Sequence, residues 1–119
     1  MKKRILVIED DRVTVALTRK MLIDAGYHVD AAMESNNAIK LLTSNDYELV
    51  ILDISMPILD GFDFVELLNS FEIKTKIVFL TNLMDEHTRE KAKKINIERY
   101  IIKEQDFNNL PQIIEEILN

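Results

Sequence analysis

Acidic side chains occur at two places in this sequence where a short apolar run stops. The run RILVI leads into Glu9, Asp10 and Asp11, and the run LVIL leads into Asp53. Apolar runs this short, rich in β-branched residues, are typical of strands buried on both faces, as in a parallel sheet with helices above and below. An acid at the carboxyl end of such a strand lies where open α/β sheets build their sites. The clustered acids could hold a cation.

Two further polar residues follow predicted strands in the same way. Thr81 comes directly after KIVFL, and Lys103 comes directly after RYII. Because the carboxyl ends of parallel strands meet at one edge of the sheet, that edge is expected to gather several acids, one hydroxyl and one ammonium group.

Length and composition limit the kind of protein. The chain has 119 residues, no cysteine and a net charge of −6. This length suits one domain with a single packed core, and the acidic balance argues against direct binding of nucleic acid. No apolar run approaches membrane-spanning length and no signal-peptide pattern is present, so we expect no membrane segment and a cytoplasmic location.

The remaining pattern alternates strands with helices. Strands are predicted at 4–8, 27–31, 49–52, 76–80 and 99–102, and helices at 12–25, 35–44, 62–69, 85–95 and from about 110. Five strands and five helices in alternation predict an α/β doubly wound parallel sheet. The fourth helix contains the polar segment TREKAKK, so it has little to bury and is expected to be loosely held. Pro111 is expected at the first position of the last helix.

End signals and apolar positions add detail to the helices. Asp11 is the better N-cap for the first helix, Ser35 is the predicted cap of the second, and Asn96 replaces the usual glycine after the fourth. Gly26 is expected to end the first helix in a left-handed conformation. The buried face of the first helix is predicted to contain Val13, Leu17, Met21 and Ala25, with Leu22 beside them, while Val15 and Ile23 lie outside it.

Together these residues resemble the receiver domain of two-component response regulators over the whole chain. The acid cluster, Asp53, the run MPILDG, Thr81 and Lys103 occur in the order and spacing of that family. The resemblance implies a three-layer, flavodoxin-like sandwich with strand order 2-1-3-4-5, as in the chemotaxis regulators. It implies one receiver domain over residues 1–119, with no output domain visible in this sequence.

The resemblance also implies a role for each site residue. Asp53 would accept a phosphoryl group from a histidine kinase or histidine phosphotransfer protein, with Lys103 and Thr81 contacting phosphoryl oxygens. Tyr100 would be the aromatic switch, and the surface of the fourth helix, fifth strand and fifth helix would control a downstream protein or an output domain outside this sequence. The implied direct ligands of Mg²⁺ are Asp10, Asp53 and the backbone carbonyl of Ser55, with Glu9 held through a water. Asp11 would add to the local field or only cap the helix.

Two positions depart from the family pattern. Glu104 stands where the family has proline after the lysine, joined by a cis peptide, and a cis bond before glutamate would cost roughly 3 kcal/mol, so a trans bond is expected. Asn82 replaces a small residue after Thr81, where it could narrow access to the site or hydrogen-bond across it.

Three classes of function remain open on the sequence. The first is the phosphorylated receiver, which is no enzyme beyond its own phosphotransfer and dephosphorylation. The second is a receiver-like interaction domain that works without phosphorylation, favoured by Glu104 and Asn82. The third is a phosphatase of the haloacid dehalogenase type. It ranks last because Ser55 stands where a second acid would serve as general acid.

The phosphoryl group on Asp53 is predicted to be persistent. Leu83 and Ser55 occupy the two positions that tune its loss to water in this family, and an apolar Leu83 cannot orient an attacking water molecule. Intact mass spectrometry of the phosphorylated domain over time measures the decay. A lifetime of seconds for the isolated domain would contradict this prediction.

Overall fold

The computed structural model describes residues 2–54, 61–82 and 86–119. Five parallel strands form one sheet in the order 2-1-3-4-5. The strands are β1 Arg4–Ile8, β2 His28–Ala32, β3 Leu49–Leu52, β4 Lys76–Thr81 and β5 Arg99–Ile102. This confirms the predicted fold class and strand order, with β2 displaced by one residue from its predicted position.

Helices connect the strands and cover the sheet on both sides. They are α1 Arg12–Asp24, α2 Ser35–Ser44, α3 Gly61–Ser70, α4 Glu86–Lys93 and α5 Leu110–Leu118. A four-residue helical turn, Lys103–Asp106, and the 3₁₀ turn Phe107–Asn109 join β5 to α5. The sequence did not predict these turns, because Pro111 marks only the start of the last helix, where the structure also has it.

The core consists of two apolar layers, one on each face of the sheet. On β1, Leu6 and Ile8 belong to one layer, while Ile5 and Val7 belong to the other. The first layer packs against buried side chains of α2, α3 and α4: Ala38, Leu42, Phe64, Val65, Leu68 and Ala92. The second packs against Leu22 of α1 and against Leu110 and Ile114 of α5. Burial on both faces explains the near-continuous apolar strand sequences.

The predicted buried face of α1 was correct at Leu22 and, in part, at Met21, which packs half-buried against the core, but wrong at Val13, Leu17 and Ala25. Val13 and Leu17 are 66% and 52% exposed, whereas Val15, Thr18 and Leu22 are buried. The three buried residues Val15, Thr18 and Leu22 still follow helical spacing. Because Thr18 is polar, the apolar repeat that starts two residues earlier, at Val13, looked stronger in the sequence. Ile23 is exposed, as expected.

The helix ends confirm some of the predicted caps and contradict others. Asp11 caps α1, and Gly26 after it has φ +102°, both as predicted. Ser35 is the first residue of α2 and not its cap, since Glu34 occupies that position without a side-chain bond. The helix α4 stops at Lys93, earlier than predicted, and Asn96 is not left-handed, because Glu72 is the one non-glycine with positive φ in the described ranges. Asp85, where the fourth helix was predicted to begin, lies outside those ranges.

Gly61 begins α3 where the backbone just after β3 runs close by. A Cβ atom at this position would lie 2.8 Å from the Cα of Ile54 and 2.5 Å from its Cγ2. Contacts this short with backbone exclude a side chain, so only glycine lets α3 start this close to the end of β3.

In the described residues, no helix is long and apolar enough to cross a membrane.

The same substitution at two leucines of α1 tests which face is buried. We expect Leu22→Ala to lower the free energy of unfolding by about 2–5 kcal/mol, because Leu22 is fully buried. Leu17→Ala should change it by no more than about 0.5 kcal/mol, because Leu17 is exposed. Urea denaturation of both variants measures the difference. Equal losses would contradict the orientation of α1.

Candidate functional site

Strand pairing places the predicted site residues at one edge of the sheet. Asp53 and Glu9 follow the last residues of β3 and β1, which are paired with each other, Ile8 opposite Leu52. The backbone N–H of Asp53 donates to the carbonyl of Ile8 over 3.0 Å, so the first residue after β3 is still fixed to β1. The site therefore begins on rigid, hydrogen-bonded backbone.

Three of these polar side chains are withdrawn from solvent. Glu9 is 3% exposed, Asp53 is 6% exposed and Thr81 is fully buried. Asp10, the next residue after Glu9, is exposed. Burying two carboxyl groups side by side is costly unless a partner charge or a shared proton compensates them.

Lys103 supplies that partner charge. Its ammonium group donates a short hydrogen bond to Oε1 of Glu9 and forms an ion pair with Oδ2 of Asp53 at 3.5 Å. Of the two carboxyl groups, that of Glu9 is the closer to Lys103. The helical turn that begins at Lys103 directs this side chain over the carboxyl ends of β1 and β3.

The pKa values at this site follow from burial and charge. Burial raises the pKa of Glu9 to about 7, and its hydrogen bond with Asp53 acts in the same direction, outweighing the lowering effect of Lys103. Burial lowers the pKa of Lys103, but its hydrogen bond to Glu9 and the charge of Asp53 outweigh burial and raise it. Lys103 is therefore held in its charged form at neutral pH.

Three carboxyl groups come close enough together to share a cation. Oxygen atoms of Glu9, Asp10 and Asp53 all lie within 4.8 Å of one another. Carboxylate oxygens are the hard ligands that Mg²⁺ prefers, so the donor set fits that ion. Ser55, whose carbonyl was predicted as a third direct ligand, lies outside the described residues.

The side chain of Asp11 caps a helix. Its Oδ2 accepts from the backbone N–H of Thr14 over 3.1 Å and from the Thr14 hydroxyl over 2.5 Å. These two bonds cap α1, and they hold the pKa of Asp11 below its usual value. In this structure the acid cluster is therefore divided between a helix cap and the buried edge of the sheet.

Thr81 and Tyr100 lie on the neighbouring strands β4 and β5. Tyr100 is opposite Phe79 in the register, and Ile102 is opposite Thr81. The Tyr100 ring is half-buried and meets the Phe79 ring edge-on, with centroids 6.3 Å apart. The two proposed switch residues therefore lie on adjacent strands and are offset by two residues in the strand register.

The departures from the family pattern fall at the rim of the site. Asn82 and Glu104 are both exposed, and no peptide bond in the described part of the chain is cis. The expected trans bond before Glu104 is therefore confirmed. Leu83, the second residue tied to phosphoryl lifetime, lies outside the described ranges.

One residue near the site was missed by sequence reasoning. The hydroxyl oxygen of Thr18 on α1 is buried without a hydrogen-bond partner. Its side chain lines a small space together with Thr14, Glu9 and Asp53. A polar residue at a predicted solvent-facing helical position carries no signal of burial, because exposed threonines are common.

Curated relatives share the chain's sequence pattern. The transcriptional regulatory protein CusR of Escherichia coli K12 is 32% identical over 115 residues, which cover 97% of this chain and 51% of CusR. The regulatory protein VanRB of Enterococcus faecalis is 34% identical over 120 residues, covering 99% of this chain and 53% of VanRB. The chain thus spans about half the length of these two relatives.

One solved structure is similar to this chain in both fold and sequence. The response regulator TrrA of Thermotoga maritima, in complex with Mg²⁺ and BeF, aligns with a TM-score of 0.84 and 31% identity, covering 98% of this chain and 99% of TrrA. The chemotaxis protein CheY4 of Vibrio cholerae aligns with a TM-score of 0.90 at 22% identity, covering 99% of this chain and all of that one, and shows likeness of fold alone.

The sequence profile of the response regulator receiver domain matches residues 5–115. That span holds all of the sheet except Arg4, the first residue of β1, together with the buried carboxyl pair and the lysine that contacts both. The chain therefore belongs to the response regulator receiver domain family of two-component signalling.

Proposed function

We propose that this receiver domain accepts a phosphoryl group on Asp53 from a phosphohistidine of a histidine kinase or histidine phosphotransfer protein, in a Mg²⁺-dependent reaction. The observation that carries the proposal is the position of Asp53, a buried carboxyl group paired with Lys103 and within reach of two further acids. Such a costly arrangement is typical of a functional site. The proposal includes a cytoplasmic location, in keeping with a sequence that lacks cysteine.

The transfer itself asks little covalent chemistry of the protein. An oxygen of the Asp53 carboxylate attacks phosphorus, a P–O bond forms as the P–N bond of the phosphohistidine breaks, and the imidazole leaves with the bonding electrons. Stabilising negative charge on the phosphoryl oxygens is the main catalytic task. The ammonium group of Lys103 would contact one of these oxygens, and the hydroxyl of Thr81 would donate to another.

Asp10, Asp53 and the backbone carbonyl of Ser55 would hold Mg²⁺ directly, and Glu9 would hold it through a water. When bound, the ion neutralises part of the charge on the transferring group. Glu9 would first give up the proton that burial favours, and Lys103 would keep its charge throughout. Both side chains thereby prepare the site before a donor arrives.

Phosphorylation would then change the surface formed by α4, β5 and α5. Thr81 would move toward the phosphoryl group, and Tyr100 would turn inward beside it. Such a switch is a two-state equilibrium biased by new charge. The altered surface would control a downstream protein or an output domain. The relatives of about twice this length are long enough to contain such a further domain.

Uptake of a phosphoryl mimic tests the proposal. We expect beryllofluoride with Mg²⁺ to shift the amide NMR signals of Thr81, Tyr100 and Lys103 in the wild type, because all three respond to charge at Asp53. Asp53→Asn, which keeps the size of the side chain, should show no such shifts.

A different outcome would support the alternative. If Mg²⁺ binds but beryllofluoride shifts nothing in the wild type, phosphorylation at Asp53 is disproved. Asn82 and Glu104 at the rim of the site would then favour an interaction domain that works without phosphorylation.

The raised pKa of Glu9 predicts how the stability of the metal-free protein depends on pH. Between the unfolded value of 4.5 and the folded value of about 7, the folded state keeps a proton that the unfolded state has lost. The free energy of unfolding contributed by Glu9 should therefore fall as pH rises through this window and level off above it. Urea titrations in EDTA from pH 5 to pH 8 measure the slope.

Glu9→Gln is the matched control for this prediction. Glutamine has the same length and cannot titrate, so subtracting its pH profile removes the contributions of all other groups. If the two profiles run parallel, Glu9 has an ordinary pKa and the prediction is wrong.

A further inference from the structure

The helix α4 has very little apolar surface with which to pack. Its sequence is EHTREKAK, and Ala92 is its one buried residue. Burying a single methyl group stabilises a helix against a sheet far less than the two or more large side chains that α3 and α5 each bury. Other contacts must therefore hold α4 in place.

Two cations of α4 lie over aromatic rings. The guanidinium carbon of Arg89 is 5.6 Å from the centre of the Tyr100 ring, and Nζ of Lys91 is 4.5 Å from the centre of the Phe62 ring. Both distances are within the range of attraction between a cation and the face of an aromatic ring. The polar side chains of α4 thus supply contacts that its apolar side chains lack.

The two rings belong to one row that crosses the domain. Phe62 of α3 meets Phe79 of β4 edge-on at 5.3 Å, and Phe79 meets Tyr100 of β5 at 6.3 Å. The helix α4 contacts both ends of this row through side chains two residues apart. Its position therefore depends on the position of the two terminal rings.

The ends of the row differ in their freedom. The Phe62 ring lies in the core with 9% of its surface exposed, whereas Tyr100 is half-buried. Tyr100 and Arg89 also line a groove of about 260 Å³, together with Ala92, Ile95 and Ile97. A turn of the Tyr100 ring would leave Arg89 without its ring, while Lys91 would keep contact with Phe62.

We propose that Arg89 is a positioning residue for the switch: its contact with the Tyr100 ring stabilises the present arrangement of α4 and opposes the phosphorylated one. This inference rests on the proposed function, in which Tyr100 turns inward. By thermodynamic linkage, a contact made in only one of two states weakens binding of any ligand that favours the other. The Phe62 ring lies in the core and would not turn with Tyr100, so the Lys91–Phe62 contact should be kept in both states and hold α4 without affecting the switch.

Arg89→Gln and Lys91→Gln form a matched pair, since each removes one positive charge and one ring contact from the same helix. We expect Arg89→Gln to tighten beryllofluoride binding in Mg²⁺ by about two- to fivefold, the factor that corresponds to one exposed cation–ring contact. Lys91→Gln should leave the affinity unchanged. Loss of a nearby cation would by itself weaken binding of an anion, so the predicted direction is opposite to a simple charge effect.

The same substitutions in a Tyr100→Leu background test whether Arg89 acts through the ring. Without the ring, Arg89→Gln should no longer change the affinity for beryllofluoride. An undiminished effect in that background, or equal affinities of Arg89→Gln and Lys91→Gln in the wild-type background, would overturn the proposal.

Amide hydrogen exchange in α4 supplies a second readout that needs no phosphoryl mimic. In the metal-free protein, Arg89→Gln and Tyr100→Leu should each lower the protection of α4 amides, and the double variant should lose no more than either one. Additive losses would overturn the contact itself. Failure of the wild type to bind beryllofluoride would instead disprove the proposed phosphorylation, and the exchange data would still decide the role of Arg89.

Discussion

The ammonium group of Lys103 lies against two buried carboxyl groups, and most features of this domain either bring that contact about or are affected by it. Glu9 and Asp53 come from paired strands, so neither can move away from the other. Two carboxylates in such a place would be unstable together without a cation. The lysine supplies one charge, and a proton on Glu9 can substitute for another. A divalent ion bound there would replace the proton that already compensates part of the negative charge of the two carboxyl groups.

The parallel sheet explains why these groups meet. The strands β1, β3 and β4 are buried on both faces, and Glu9, Asp53 and Thr81 lie at their carboxyl ends, with Lys103 after β5 at the same edge. Hydrogen bonds continue one residue past the strands, from Asp53 to Ile8 and from Glu9 to Ala32, so the acids are fixed by backbone. Lys103 begins a helical turn instead, which leaves its long side chain to reach over the carboxyl groups. Acids fixed by backbone and a cation on a long side chain suit the proposed function, in which the site accepts a phosphoryl group and then responds to it.

The opposite requirement applies to α4. In the proposed switch α4 changes position, and a helix that does so cannot be packed like α3, whose buried side chains include three large ones on one short helix. The helix α4 buries one alanine and contacts α3 and β5 through two cations over aromatic rings. Contacts of this kind are individually weak and are made on the surface. They allow a helix to be held in one state and released in another without disturbing the core.

The sequence by itself determined the alternation of strands and helices, the edge at which the polar residues gather, the cap at Asp11 and the start of α5 at Pro111. These follow from local chemistry: short apolar runs, side-chain caps and a fixed proline φ. The partners of each group were decided only by tertiary structure. Lys103 lies closer to Glu9 than to Asp53, Thr18 is buried while Leu17 is exposed, and Arg89 finds the ring of Tyr100. Each outcome depends on distances between elements far apart in the chain, and such distances leave no mark in residue spacing.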